Sequence, residues 1–356
     1  ALSLNPSIKI TEDDEYLSLS ITQKLYPIQE SEYEKNLYTT NKDIKKAEEN
    51  LKNLKANKII SWVQSYLNIV RMEENKEIYK ESVKKAEKNL EKVKERVEIG
   101  EAGENQLLTA QISLENARYN LKEQEYKIEE NKSNFKNDLG LSQDRKIAFD
   151  AKANFINNLK EKADELTEKY LKDDDLKNIV EENNLDLLTN KMERDDLERE
   201  LTELKDENKV NVDITGNYDT LSESGSATLN FEYNLFDGGK NELNIESQKE
   251  RIEKNKENYD KKYNELELEL QKKLHNLALN KDKLKRERLN YEKSLNDLEV
   301  AEKQYDNGVI DYLSYQESWI TSHEAEIALR SLRDSNFITK LNFINFVNSD
   351  KVIGGF

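Results

Sequence analysis

Apolar residues fall on every seventh position through Tyr263, Leu270, Leu277, Leu284, Tyr291, Leu298 and Tyr305, and the positions between them are mostly Glu, Lys, Asn and Asp. That period predicts one unbroken helix from Lys240 to Tyr305 with a narrow apolar seam, which a partner helix has to cover. At about 1.5 Å of rise per residue such a helix is about 100 Å long, and a strict seven-residue column calls for a left-handed supercoil. After Asn307-Gly308, the segment Asp311 to Val347 carries Tyr315, Ala325, Leu329, Leu332, Phe343 and Phe346 at mixed three, four and seven spacings. A glycine just past a helix end admits a left-handed residue and a reversal, so the pair reads as an antiparallel helical hairpin.

The same unit occurs earlier in the chain. A shift of 208 residues pairs Gly100 with Gly308, Ala117 with Ala325 and Ser18 with Ser226, and it pairs Lys132, Asn134, Phe135 and Asn137 with Lys340, Asn342, Phe343 and Asn345. In the first copy the long helix starts after Tyr26-Pro27, with Ser31 and Glu34 spaced as a capping box. It runs to about Val97 with Trp62, Ile69, Val83, Leu90 and Val97 in its seam, interrupted at Lys55 and Lys76. The return arm, about Asn105 to Leu139, has the column Leu107, Leu114, Leu121, Ile128 and Phe135. Order weakens from Gly140 to Asp175 apart from a short helix near Leu159 to Leu171, and a further helix over Leu176 to Asn208 leads into the second copy.

Each copy opens on a different period. Leu2, Leu4, Ile8 and Ile10 alternate with polar residues, as do Leu17, Leu19, Ile21 and Leu25; the second copy has Val210, Val212, Ile214 and Tyr218, then Ala227, Leu229, Phe231, Tyr233 and Leu235. Period two predicts strands, here two hairpins joined by acidic or glycine-containing loops. Four strands of about ten residues, apolar on one face, match transmembrane barrel strands in period and length, yet a spanning barrel needs about eight, so several chains have to pool them. The alternative is a pair of amphipathic hairpins over a soluble core. The domains are therefore 1–139 (strand pair 1–26, helical hairpin 31–139), an inter-repeat segment and helix at 140–208, and 209–356 (strand pair 209–235, helical hairpin 240–347).

Composition narrows the function classes. Of 356 residues 36% are charged and 35% hydrophobic, with two prolines and no cysteine, which suits long thin helices better than thick globular cores. A net charge of −17 argues against nucleic acid, whose phosphates require basic patches. No apolar run is long enough for a membrane-spanning helix. The lack of cysteine excludes disulfides and thiolate metal sites and leaves cytoplasm and periplasm open. His275 and His323 stand without partners at ligand spacing, and no phosphate loop, nucleophile elbow or triad pattern occurs, so neither cofactor nor enzyme activity is expected.

The duplication, the joint Asn234-Leu235-Phe236-Asp237-Gly238-Gly239 between strands and long helix, and two glycine tips resemble the TolC-type outer-membrane efflux and secretion channels. Those tips are Ile99-Gly100-Glu101-Ala102, running on to Leu107-Leu108-Thr109-Ala110-Gln111, and Asn307-Gly308-Val309-Ile310-Asp311, running on to Leu313. The resemblance covers nearly the whole chain. It implies a mainly α fold with a small β part: a homotrimer pooling four strands per chain into a twelve-stranded barrel in the outer membrane, above a hollow α-helical barrel in the periplasm. It also implies a non-enzymatic exit duct for drugs or secreted proteins, in a tripartite efflux pump or type I secretion system. The partners would be outer-membrane lipid, an inner-membrane pump or ABC exporter, and a periplasmic adaptor docking at Ile99, Gly100, Glu101, Gly308, Val309 and Ile310.

Carried over residue by residue, the family's entrance tyrosine matches Tyr305 and one entrance carboxylate matches Glu317. Two further acidic positions hold Ser314 and Gln106, and the arginine expected near Ile310 is absent, so the family's closing network is not reproduced. Tyr305 and Glu317 read equally well as a seam residue and a solvated charge. The counterpart of the Leu176 to Asn208 helix before the first strand pair would lie upstream of Ala1, which implies either a longer native chain or a member lacking that helix. A soluble coiled-coil scaffold also accounts for helices and charge but leaves the four strands unexplained. A periplasmic adaptor has one hairpin among β-rich domains, whereas this chain predicts two.

Overall fold

The computed structural model describes residues 2–10, 15–28, 30–150, 153–219 and 223–354, with backbone alone for 2–17. In chain order these form strands β1 (Leu2–Ile10) and β2 (Glu15–Tyr26), and helices α1 (Glu32–Glu98), α2 (Glu104–Asp138), α3 (Asn154–Leu171), α4 (Leu176–Glu182) and α5 (Leu185–Glu207). There follow β3 (Asn211–Asp219), β4 (Ser224–Glu232), α6 (Lys240–Asp306), α7 (Tyr312–Val347) and α8 (Ser349–Ile353). The chain is thus mostly helical. Helices α1 and α6 have 67 residues each, and their first residues, Glu32 and Lys240, are 208 apart. The chain divides into two compact units, residues 1–51 with 181–267 and residues 52–180 with 268–356.

The first unit contains one antiparallel sheet in the order β1-β2-β3-β4, so β1 and β4 each have a single strand neighbour among the described residues. Residues directly opposite one another in such a sheet share a face. The rows Ser20–Asn217–Ser226, Thr22–Thr215–Thr228 and Lys24–Asp213–Asn230 make one face polar. There the Thr22 and Thr215 hydroxyls lie 3.1 Å apart and Asn230 Nδ2 donates to Asp213 Oδ2 at 2.8 Å. The rows Leu19–Tyr218, Ile21–Gly216–Ala227 and Ile214–Leu229 make the other face apolar, with Gln23 the polar exception. A register shift between Lys24 and Tyr26 sets Tyr26 opposite Val212, so Tyr26 and not the expected Leu25 extends the apolar face. The predicted hairpin loops at 11–14 and 220–222 lie outside the described residues.

Strand β4 ends at Glu232, ahead of the predicted Leu235. Side chains compete there with the ladder for backbone groups. Asn234 Oδ1 accepts the Phe236 N–H at 3.4 Å, and Asp237 accepts the N–H groups of Gly239 and Asn241 at 2.8 Å each. Those bonds lower the Asp237 pKa. The helix predicted over 176–208 is two helices, because the Asn184 side chain caps a fresh start by accepting from Leu187 N at 2.9 Å. Helix α3 begins at Asn154, earlier than the predicted Leu159, since Ile156 joins Leu159, Ala163 and Tyr170 on its buried face.

In the second unit the predicted seams are covered: Leu270 and Leu277 of α6 and Leu114, Ile128 and Phe135 of α2 are buried. Helix α1 buries a wider stripe than its seven-residue column suggested, adding Ala56, Ile60, Val63, Leu67 and Val70 at alternating four and three spacings. Lys76, an interruption in the seam, pairs with Glu125 of α2 at 3.3 Å. The buried Asp334 of α7 accepts from Arg71 Nε at 2.6 Å and Lys160 Nζ at 3.2 Å, joining α1, α7 and α3. The Ser31–Glu34 capping box forms as predicted, with Glu34 Oε2 accepting the Ser31 N–H at 2.7 Å and Ser31 Oγ the Glu34 N–H at 3.2 Å.

Candidate functional site

The two helical tips are built alike. Gly100 (φ +77°) and Gly308 (φ +71°) take the left-handed conformation that L side chains resist. Gly100 N–H donates to Val97 O at 3.0 Å and Glu101 N–H to Arg96 O at 2.8 Å; Gly308 N–H donates to Tyr305 O at 3.0 Å and Val309 N–H to Gln304 O at 2.8 Å. Both are Schellman closures, satisfying carbonyls that the helix end leaves open. Ile99 and Val309, one residue to either side of the respective glycines, are about 70% exposed, so each tip presents one aliphatic side chain to solvent.

The return helices then start, and two of the predicted entrance residues serve those starts. Gln106 Oε1 reaches back to accept the Gly103 N–H at 3.1 Å. Ser314 holds the matching position of α7, where its N–H donates to Asp311 Oδ1 at 2.9 Å. That bond, with a second from the Ser314 hydroxyl, lowers the Asp311 pKa. The structure therefore gives both residues a capping role.

A groove of about 470 Å³ runs between the tips, lined by Arg96, Ala102 and Gln106 from one and Tyr305, Gly308, Val309 and Ile310 from the other. Glu317 is exposed on a neighbouring groove of about 590 Å³ between α2 and α7, beside Asn116, Asn120 and Gln316. There Ser113 Oγ donates to the buried Gln316 Oε1 at 3.3 Å. Tyr305 and Gln106 thus share one groove, Glu317 lines the other, and Ser314 lines neither. Ile99, Gly100 and Glu101 stand on the rim of the first tip.

A cluster that the sequence did not reveal sits behind Tyr305. Its ring stacks on Tyr315 at 5.1 Å and 11°, and both rings meet Tyr312 edge-on or tilted within 6.4 Å. Lys92 and Lys85, one heptad apart on α1, reach across to this group. Lys92 Nζ donates to the Tyr305 hydroxyl at 3.2 Å, and Lys85 Nζ to the Tyr315 hydroxyl at 2.8 Å while lying 4.4 Å from the Trp319 ring centre. Burial lowers the Lys85 pKa. Burial also raises the Tyr312 and Tyr315 phenols, with nearby Glu302 and Asp306 adding to the effect at Tyr315. The heptad spacing of Lys85 and Lys92 was the available signal, but lysines at that spacing look like a solvated face. Among the described residues no group of His, Cys, Asp and Glu could hold a metal ion, and no helix is long and apolar enough to cross a membrane.

Residues 188–339, from α5 into α7, match the family model described as outer membrane efflux protein. No curated protein matches the sequence. Among solved structures the chain is similar to the outer membrane protein VceC of Vibrio cholerae, at 14% identity and TM-score 0.62 over 98% of this chain and 85% of that one. It is similar to the Campylobacter jejuni CmeC outer membrane channel at 14% identity and TM-score 0.66, over 98% and 76% of the two chains. A membrane protein from Pseudomonas aeruginosa matches at 15% identity and TM-score 0.64 over 98% and 80%. At these identities the likeness is one of fold.

Proposed function

From the outer membrane efflux protein domain that this chain carries at residues 188–339, we propose that the protein is one third of an outer-membrane exit duct. Three copies pool their strands into a twelve-stranded barrel, and their helices line a passage through the periplasm. The observation that carries this reading is the sheet. It has one polar face and one apolar face, and the apolar face leaves Ile214 40%, Leu229 50% and Phe231 67% exposed. Contiguous apolar surface of that kind belongs against lipid or another chain, and open strand edges invite further strands. Strands of 9 to 12 residues have the length a tilted barrel strand needs.

The paired tips support docking of a periplasmic adaptor at Ile99, Gly100, Glu101, Gly308, Val309 and Ile310. An inner-membrane pump or ABC exporter would supply the cargo, drugs or secreted proteins. Tyr305, Glu317, Gln106 and Ser314 would face the entrance, the last two also serving the helix starts. The family matched is one of transport and not of catalysis. With a net charge of −17 the passage favours cations. Reconstitution into planar bilayers tests this: the duct should conduct, with reversal potentials in a salt gradient showing cation preference. Absence of conductance from correctly folded protein refutes the duct, and anion preference refutes the acidic passage.

A further inference from the structure

The stretch of α6 ahead of Tyr263 packs along α5 with a column of Ile245, Ile252 and Tyr259, of which Ile252 is buried. Beside that column lie amides one heptad apart, Asn241, Gln248 and Asn255, all buried. Each donates its side-chain N–H to a backbone carbonyl of α5, and the acceptors step back by sevens. Asn241 reaches Leu204 O at 3.0 Å, Gln248 reaches Leu197 O at 2.9 Å and Asn255 reaches Asn190 O at 3.5 Å. The first two amides also donate to a carboxylate one turn further on, Glu207 at 3.1 Å and Glu200 at 2.9 Å. At the third rung Asn190 is fully buried, and neither polar atom of its side chain has a partner among the described residues.

We propose that this amide ladder is a register lock that fixes α6 against α5, and with it the level at which the β3–β4 hairpin leaves the helices. Leucine at these positions would bury more favourably than an amide, and leaving an amide atom unpartnered is costly. A polar residue in a helix–helix seam lowers stability and specifies alignment, because only one setting satisfies it. A slip by one turn takes each amide away from its paired carbonyl and carboxylate. A slip by a whole heptad loses a rung, since acceptors at 190, 197 and 204 nearly fill α5, which spans Leu185–Glu207. Helix α5 enters β3 and α6 leaves β4 within a few residues, so a slip between them would shear the strand pair. In a sheet with one apolar face, a one-residue error turns every side chain to the wrong side.

The chain has no cysteine, so engineered cysteine pairs report the register cleanly. Glu200 and Arg251 face each other at 3.3 Å. The full-length pair Glu200→Cys/Arg251→Cys reads the native setting, and Glu200→Cys/Ser247→Cys reads a one-turn slip. Glu200→Cys removes the carboxylate of the second rung from both pairs but leaves the three amide–carbonyl bonds, and with those amides present the native pair should cross-link at least tenfold more than the slipped pair. With Asn241→Leu, Gln248→Leu and Asn255→Leu together, the two yields should come within about threefold while helical content is retained. If the triple variant does not fold, Gln248→Leu alone should still raise the slipped yield severalfold. Cross-linking confined to the native pair in whichever variant folds overturns the proposal. This outcome is independent of whether the protein conducts ions.

Discussion

Helices α1 and α6 repeat one another at 208 residues, and still their first turns live in different surroundings. Leu37, Ile44 and Leu51 of α1 fall on a heptad column and are exposed, at 47%, 50% and 50%. Their counterparts on α6 are Ile245, Ile252 and Tyr259, of which Ile252 is 8% exposed and the other two are half-buried. The cause is α5. It lies along α6 through the amide ladder, and Tyr259 donates to Glu181 of α4 at 2.7 Å under Lys191 and Arg194. Towards α1 it offers a charged face instead: Lys35 pairs with Glu203 at 2.6 Å, Lys42 pairs with Asp196, and Arg199 stacks 3.7 Å from the Tyr38 ring centre. The same apolar column is core in one copy and surface in the other, so burial follows from the neighbour and not from the pattern alone.

The contrast is open to direct attack. Ile252→Ala should destabilise the protein by about 2–4 kcal/mol in a melt monitored by circular dichroism, as removal of a buried isoleucine does. Ile44→Ala, on the equivalent but exposed column, should cost less than about 1 kcal/mol. Equal losses would mean that something covers α1 in solution.

A smaller effect should appear at Tyr259. Its hydroxyl, more than Lys191, lowers the Glu181 pKa below the ordinary carboxylate value. A carboxylate lowered on folding stabilises the fold above its unfolded pKa, and that contribution is lost as pH falls through the folded value. Tyr259→Phe should therefore lower stability at pH 7 by about 1.5–3 kcal/mol, the range for a hydrogen bond to a charged group, and flatten the acid-side loss of stability. An unchanged acid limb would show that the bond does not form.

The smallest effect concerns the tips. Among the described residues nothing lies within 4 Å of where a Cβ would sit at Gly100 or Gly308, so alanine meets no clash and suffers only from the positive φ. Gly100→Ala and Gly308→Ala should each cost about 1 kcal/mol and match one another in thermal melts. A marked inequality would reveal a neighbour at one tip.

Much of this architecture was legible in the residues. The columns of α2 and α6, the strands, the Ser31–Glu34 box and the tip glycines were all readable, because each is a local signal whose physics involves residues within a turn or two. What escaped depends on partners distant in sequence. Lys85 and Lys92 look solvated until tyrosines from α6 and α7 arrive, and Asn241, Gln248 and Asn255 read as polar surface until α5 supplies carbonyls. Gln106 and Ser314 are placed at an entrance by resemblance, and their hydrogen bonds add a role at the helix starts that the resemblance did not give. The break before α5 did carry a signal, Asn183-Asn184-Leu185-Asp186, a capping pattern inside a run that otherwise reads as helix. Likewise, the strand alternation could not show that a bulge substitutes Tyr26 for Leu25.

The central claim is that one chain is incomplete, and native mass spectrometry of the detergent-solubilised protein tests it most directly. The account predicts a single species with the mass of three 41.7 kDa chains, stable to dilution. A monodisperse species at the mass of one chain, folded and soluble without detergent, would contradict it.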